Sequence, residues 1–500
     1  ILKYMSWITT CSVFIALSSI LYQAFVSLKQ LNKLTTILTG LLALEGLKGK
    51  GVVDKPKVAV GYGSCSDLFI SATSFLNFTE AILARSRTDL LSDDIATEEQ
   101  FLKSFAFYFK NGAAAERFTP NDELFSRLIK TAKTRHKNDI RWALGGNAPI
   151  MGVRFFKEGA DVLLAARMSH KLKKHLPEGI KFAGDIANED DIHLILEYKS
   201  GETWGPYTAP RANRYILHND QNNPQISSLE HFEKVLKEYE PRLLVVSGIQ
   251  MMDSYKFPPG VRENRLIKVK EQIASQPNAT LIHFEMASYV EMELLKLLLR
   301  YVIPYTDSIG MNEQEIDNLR QVLEYGKVSL SSDSNPRVAT TLDQIRKVFT
   351  LVNRDYLTYK SSDPKRHMLT RLHMHTLAYQ AILTVKGSEW KNSKNAAAKA
   401  ALTAYRHVCG TDVINPESCF LILDDSFATS IDTATLDAKT PKRVQLDLKN
   451  PVSCWDESLE LDGTLFEYEI CVAPVLVCRE AKQTAGAGDN ISASGLVLQI

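Results

Sequence analysis

A chain of 500 residues with 45 % hydrophobic and 23 % charged side chains can bury a large core, which excludes a mainly disordered polypeptide and leaves room for about two to four domains. Its 59 Lys and Arg against 58 Asp and Glu leave a net charge of +1, so no polyelectrolyte field draws the molecule to nucleic acid, and no nucleic-acid partner is expected. The seven cysteines form no Cys-x-x-Cys and no paired zinc spacing; a secretory compartment would permit a disulfide, with Cys409 and Cys419 or Cys454 and Cys471 as possible pairs.

The first predicted element is apolar. Tyr4 to Leu28 carry no charge, between Lys3 and Lys29, and the run is long enough to cross a bilayer as a helix. Its Ser, Thr and Gln content places it nearer a signal peptide or signal anchor than a strongly hydrophobic span, with a buried N-terminal helix as the alternative. Residues 1–30 are therefore expected to be a signal peptide or membrane anchor. LTTILTGLLALEGLKGKG continues the helical tendency, so 31–56 is expected to be a helical linker. The expected location is the secretory pathway, in the lumen or membrane of the endoplasmic reticulum or secreted.

From residue 57 the pattern changes. KVAV is a short strand run that reaches glycine turns before Asp67. EEQFLKSFAFYF and PNDELFSRLIKTAK read as helices, and GGNAPIMGVRFF opens another. Strand-like runs follow at ADVLLAA, HLILEY, PRLLVVSGIQ, ATLIHFEMA and YVIPYTDSIG, with helical periodicity in RENRLIKVKEQIASQ and VEMELLKLLLR. Repeated alternation of strands rich in Val, Ile and Leu with helices predicts an α/β fold: an open sheet covered on both faces. Residues 200–225 and 425–465 are less regular, and EYEICVAPVLVC is the last predicted sheet element. The cluster His170 to His175 is short, lacks aromatic residues and reads as a solvated helix face.

Ligands in such sheets favour the carboxyl ends of strands. Four polar stretches follow predicted strands: SCSD, HFE, NEQE and GAGD. In the last, Gly486 and Gly488 permit a tight turn that aims N–H groups at a phosphate. Asp489 would repel that phosphate unless it takes a proton from an attacking hydroxyl; the plain alternative is a helix N-cap. His283 and Glu285 share one side of an extended strand, and a carboxylate there can hold Mg²⁺ directly or through water. Asn312 suits a helix cap and Glu315 a capping box, yet the same offset points Glu315 towards the cleft. Two carboxylates beside an anion-binding turn make sense if a hydrated cation balances bound phosphates.

GGNA at 145–148, HLILEY at 193–198, ANR at 212–214, HFE at 283–285, NEQE at 312–315 and GAGD at 486–489 occur in one chain, together with GAAAERF at 112–118 and RLHMHT at 371–376. This ordered set closely resembles the ADP-dependent glucokinases of the ribokinase-like family, from about Lys57 to the last residue. The resemblance implies a ribokinase-like open sheet flanked by helices over 57–500, with a smaller lid domain inserted mainly within 68–145 and 200–225. It implies phosphoryl transfer from ADP to the 6-hydroxyl of D-glucose, giving glucose 6-phosphate and AMP, by a chain expected to act as a monomer. Asp67, Glu116, Gly145, Gly146, Asn147 and His193 fall to the sugar site. Arg214 falls to the nucleotide phosphates, and Gly486, Ala487 and Gly488 to the transferring phosphoryl. Glu285 and Glu315, with Asp489, fall to Mg²⁺, and Asp489 is also the catalytic base. The choice of ADP comes from the resemblance alone.

YGSCSD departs from the asparagine-rich form that precedes this aspartate in the family, with Ser64 and Ser66 in its place. His373 and His375 are expected to be structural or phosphate-adjacent. The alternative function is a noncatalytic, membrane-tethered sugar or nucleotide sensor.

Overall fold

The computed structural model describes residues 2–46, 55–79, 95–328, 333 and 335–500. Its frame is a ten-stranded sheet in the order Ser453–Leu461, Thr464–Pro474, Tyr379–Val385, Arg371–His375, Ser308–Asn312, Leu281–Glu285, Leu243–Val246, Lys57–Gly61, Asp161–Ala165 and Lys181–Ala183. From Arg371–His375 to Lys181–Ala183 every pairing is parallel; the first three pairings are antiparallel. The unbroken apolar runs follow from burial on both faces. Ala59, Leu244 and Val246 join one core, while Val58, Val60, Leu243 and Val245 join the opposite core with Met151, Phe155 and Leu496.

A five-stranded sheet stands apart, in the order Ala115–Phe118, Asn213–His218, Ile192–Tyr198, Cys65–Ser71 and Arg141–Gly145. Helices Glu98–Asn111 and Asp122–Arg135 cover one face. There Phe101, Phe105 and Phe109 pack in edge and tilted geometry on Tyr198, Trp204 and Tyr215. On the other face Phe69, Ile195 and Ile216 meet Ala485, just before the GAGD turn. The smaller sheet thus looks onto the carboxyl ends of the large one. It also takes Ile192–Tyr198, outside the stretches 68–145 and 200–225 expected for the lid. HLILEY is buried on both faces, so its apolar run reads like a strand of the large sheet.

Leu2–Gly46 is one continuous helix. Phe14, Ile15, Leu17, Ile20, Leu21 and Phe25 are all more than half exposed. Leu34, Ile37, Leu38 and Leu41 are instead buried against the Ala-rich helix Ser393–Cys409. Glu45 accepts from Arg406 Nη1 at 2.6 Å and Nη2 at 2.9 Å, and Lys33 pairs with Asp425. Residues 31–46 are therefore a docked part of the body; of the expected linker, 47–54 lie outside the described residues. The exposed part of this helix is apolar enough to cross a membrane by length and composition: an 18-residue window within Phe14–Gly46 has a mean hydropathy of 1.3 and is not buried.

Cys454 and Cys471 form a disulfide, being opposite each other on paired strands. Cys409 bonds Cys478 and not Cys419. Cys419 and Cys478 are strand neighbours, and the end of helix Ser393–Cys409 meets the second, while the Cys419 thiol donates to the Pro416 carbonyl at 3.3 Å.

Candidate active site

Strand pairing brings the sugar-site candidates together. Asp67 lies opposite His193 on one neighbouring strand and Ala143 on the other. Its carboxyl is 5 % exposed and accepts from the Cys65 thiol at 3.1 Å; burial pushes it up to about 6, against the pull of the His193 charge. Gly145 ends the adjacent strand, where its missing Cβ leaves room for that carboxylate. His193 Nε2 donates to Asp220 at 3.0 and 3.1 Å, and Nδ1 stands 3.6 Å from Glu116 Oε1. Burial alone would lower the imidazole's pKa, but Asp220 and then Glu116 raise it to about 10. Burial would raise Asp220, yet His193 and His218 hold it far below the usual carboxylate range. The pair is an imidazolium and a carboxylate. Asn223 Nδ2 donates to Asp220 at 2.6 Å and to the Ser64 carbonyl at 3.0 Å, while Ser64 N–H donates to Asn223 Oδ1 at 3.0 Å. The amide that supports the turn at Ser64 comes from Asn223.

Asn147 opens the helix Asn147–Lys157 after Gly146, whose φ of +90° suits glycine. Its Nδ2 donates to Asp489 Oδ1 at 2.9 Å, joining sugar end to reaction end. The helix Ala487–Val497 has Gly486 as its N-cap, with φ +70°, so Asp489 is inside the first turn and does not cap it. The first intrahelical bond runs from Asn490 N–H to the Gly486 carbonyl at 3.1 Å, which leaves the preceding N–H groups directed at the cleft. Burial pushes the Asp489 carboxyl up to about 7, with the Glu285 charge adding to the rise.

Glu285 accepts from His283 Nε2 at 2.8 Å, Ser492 Oγ at 2.9 Å and His375 Nε2 at 3.4 Å. Burial opposes its charge, but these partners bring it down to about 2. Glu315 does close the capping box: Asn312 N–H reaches Oε2 at 2.9 Å and Nδ2 reaches Oε1 at 2.6 Å. It also lines the cleft, and burial pushes it up to about 7, with Glu285 and Glu313 opposing its charge. Glu285, Glu315 and Asp489 thus share one cavity of about 990 Å³. Their oxygens do not gather within 4.8 Å of one another, so these hard donors suit a hydrated dication held through waters rather than a closed cage of ligands. His375 supports Glu285, while His373 Nε2 turns to Gln380 at 3.2 Å, so the two histidines do not converge on one point.

The cavity continues to Ala404, Tyr405, Val408 and Val475, an apolar end suited to a base. Arg214 lies at the border between this cavity and a smaller one lined by Asp67, Glu116, Gly146, Asn147, His193 and Asp489. Every expected residue falls in or beside these two spaces. Asp220, Asn223, Gln250 and Ser492 were missed. Gln250 carried a signal, since GIQ ends the predicted strand run PRLLVVSGIQ; the others act through tertiary pairing that no local pattern announces.

A family profile for the ADP-specific phosphofructokinase/glucokinase conserved region matches residues 56–498. The bovine ADP-dependent glucokinase is 32 % identical over 446 residues, covering 88 % of this chain and 84 % of that protein. A probable ADP-dependent glucokinase of Caenorhabditis elegans is 27 % identical over 453 residues, again 88 % and 84 %. A solved ADP-dependent kinase in complex with fructose-6-phosphate and ADPβS superposes with a TM-score of 0.60 at 16 % identity, covering 94 % of this chain and 97 % of that one. That likeness shows the fold: a ribokinase-like α/β sheet with a smaller lid.

Proposed function

The chain belongs to the ADP-specific phosphofructokinase and glucokinase family, and on that premise we propose that it transfers the terminal phosphoryl of ADP to the 6-hydroxyl of D-glucose, forming glucose 6-phosphate and AMP. The observation that carries this reading is the hydrogen bond from Asn147 to Asp489, which places a carboxylate on the border between the sugar cavity and the helix-start amides. Asp489 accepts the hydroxyl proton as oxygen attacks phosphorus, and Gly486, Ala487 and Gly488 offer N–H groups to the transferring phosphoryl. Arg214 meets the nucleotide phosphates. Asp67, Glu116 and His193, with the backbone of Gly145 and Gly146, hold the sugar hydroxyls. Mg²⁺, when bound by Glu285, Glu315 and Asp489 or their waters, supplies neutralising charge for the phosphates. Closure of the smaller sheet over the cleft excludes water, a competing acceptor.

Glucose is favoured over a sugar phosphate because Asp67 and Glu116 put carboxylates in the lining of the smaller cavity. Initial rates with ADP and either glucose, glucosamine or fructose 6-phosphate test the point; preference for fructose 6-phosphate would refute it. A noncatalytic sensor has no need for a base at the helix start.

The same reading extends to location. The exposed apolar half of helix Leu2–Gly46 directs the chain to the secretory pathway and holds it at a membrane. Two disulfides agree with an oxidising lumen. Of three glycosylation sequons, Asn77 and Asn278 are exposed, whereas Asn490 accepts from Arg154 Nε at 2.8 Å and donates to the Gly486 carbonyl at 2.9 Å. Protease protection in intact microsomes with glycan mapping checks this: modification at Asn77 or Asn278 is expected, and full accessibility without glycan would contradict it.

A further inference from the structure

Gln250 lies beyond the strand Leu243–Val246, in the short turn Ile249–Met252, and is 4 % exposed. Its Nε2 donates to Asn147 Oδ1 at 2.6 Å and to Glu116 Oε2 at 3.2 Å. The amide's orientation is compelled. The Asp489 carboxylate demands the NH₂ of Asn147, which turns Asn147 Oδ1 towards Gln250, and this oxygen in turn demands the NH₂ of Gln250. Gln250 Oε1 is left as a buried acceptor with no partner, in a side chain that lines both cavities. A buried carbonyl oxygen without a donor is costly, and such a group at a cleft is an unfilled half of a hydrogen bond.

We propose that Gln250 is a further sugar-contacting residue, whose Oε1 accepts a hydrogen bond from one ring hydroxyl of the acceptor sugar while its Nε2 fixes Asn147 and Glu116. This deepens the glucose reading and rests on it. Gln250 reaches Asp489 through Asn147 alone, so the hydroxyl it meets is near the reacting arm of the sugar, and the one on C4 is the expected partner. The same amide links Glu116, on the smaller sheet, to Asn147, at the start of a helix that packs on the large one.

The test is a double-mutant cycle in which one partner is the substrate. The full chain and its Gln250→Met variant are assayed with ADP and glucose, 2-deoxyglucose, 3-deoxyglucose and 4-deoxyglucose. With the unaltered protein, kcat/KM is expected to fall about 10- to 100-fold for 4-deoxyglucose relative to glucose, because Oε1 is then left unpaired. Gln250→Met is expected to lose about as much with glucose and to show almost no further loss with 4-deoxyglucose, while KM for ADP stays within about twofold. Gln250→Glu keeps the acceptor but not the donors, so it retains the deoxy penalty at a lower overall rate and serves if the methionine variant does not fold. Equal losses on all four sugars, with the deoxy penalty intact in Gln250→Met, would overturn the contact and leave glucose phosphorylation standing. Absence of glucose phosphorylation by the unaltered protein would overturn both.

Discussion

Gly145→Ala isolates the geometry of the sugar site from the rest of the fold. Gly145 does not have a positive φ, so alanine fits its strand without backbone strain. The obstacle is Asp67: a Cβ on residue 145 would fall 2.5 Å from Oδ2 and closer still to Oδ1, where ordinary contact begins at 3.4 Å. The carboxylate must retreat by about 0.9 Å or more, and displacement of this order in a positioning group costs about 10²-fold. We therefore expect kcat/KM for glucose to drop about 100-fold, or about 2.7 kcal/mol of transition-state stabilisation. KM for ADP should stay within about twofold, since the displaced Asp67 carboxylate lines the smaller cavity. Overpacking adds a loss of about 1–3 kcal/mol in stability. Steady-state kinetics in both substrates and a denaturant melt read the two effects separately. A folded variant with glucose kinetics within about threefold of the parent would refute the placement of Asp67 at the sugar.

Other substitutions probe the reaction end and the docked helix. Asp489→Asn keeps the acceptor for Asn147 but not the base, so turnover should fall about 10²- to 10⁴-fold with glucose binding near normal, measured by calorimetry and rate on one preparation. Because Asp489 acts as the carboxylate and burial pushes it up to about 7, kcat/KM should fall as pH drops through that value. Glu285→Gln removes a like charge, so the acid limb should move to lower pH while the Mg²⁺ concentration needed rises; an unmoved limb with unchanged Mg²⁺ dependence would contradict the shared site. Leu41→Ala should cost about 2–5 kcal/mol of unfolding free energy, whereas deletion of 1–30 should leave the melt unchanged; a neutral Leu41→Ala would mean the helix is not part of the body.

The large sheet was legible because its parallel strands are buried on both faces and leave unbroken apolar runs, such as Leu243–Val246. The same property concealed Ile192–Tyr198, whose run looks identical but belongs to the smaller sheet. Site residues at strand ends and helix starts, namely Glu285, Glu315 and Asp489, could be placed from local pattern. Asp220 and Ser492 could not: each works by meeting a residue far along the chain, His193 and Glu285 respectively. Disulfide choice failed at Cys409 for a related reason. Cys419 is nearer in sequence, but helix Ser393–Cys409 ends beside Cys478.

The central claim is the transfer itself, and its most direct measurement follows both products at once. Purified protein with Mg²⁺ and glucose is given ADP, ATP or no nucleotide, and AMP and glucose 6-phosphate are quantified together. The account expects AMP and glucose 6-phosphate in equal amounts from ADP, with little transfer from ATP and none without nucleotide. Glucose 6-phosphate formed from ATP in preference to ADP, or inorganic phosphate released from ADP with no glucose 6-phosphate, would contradict it.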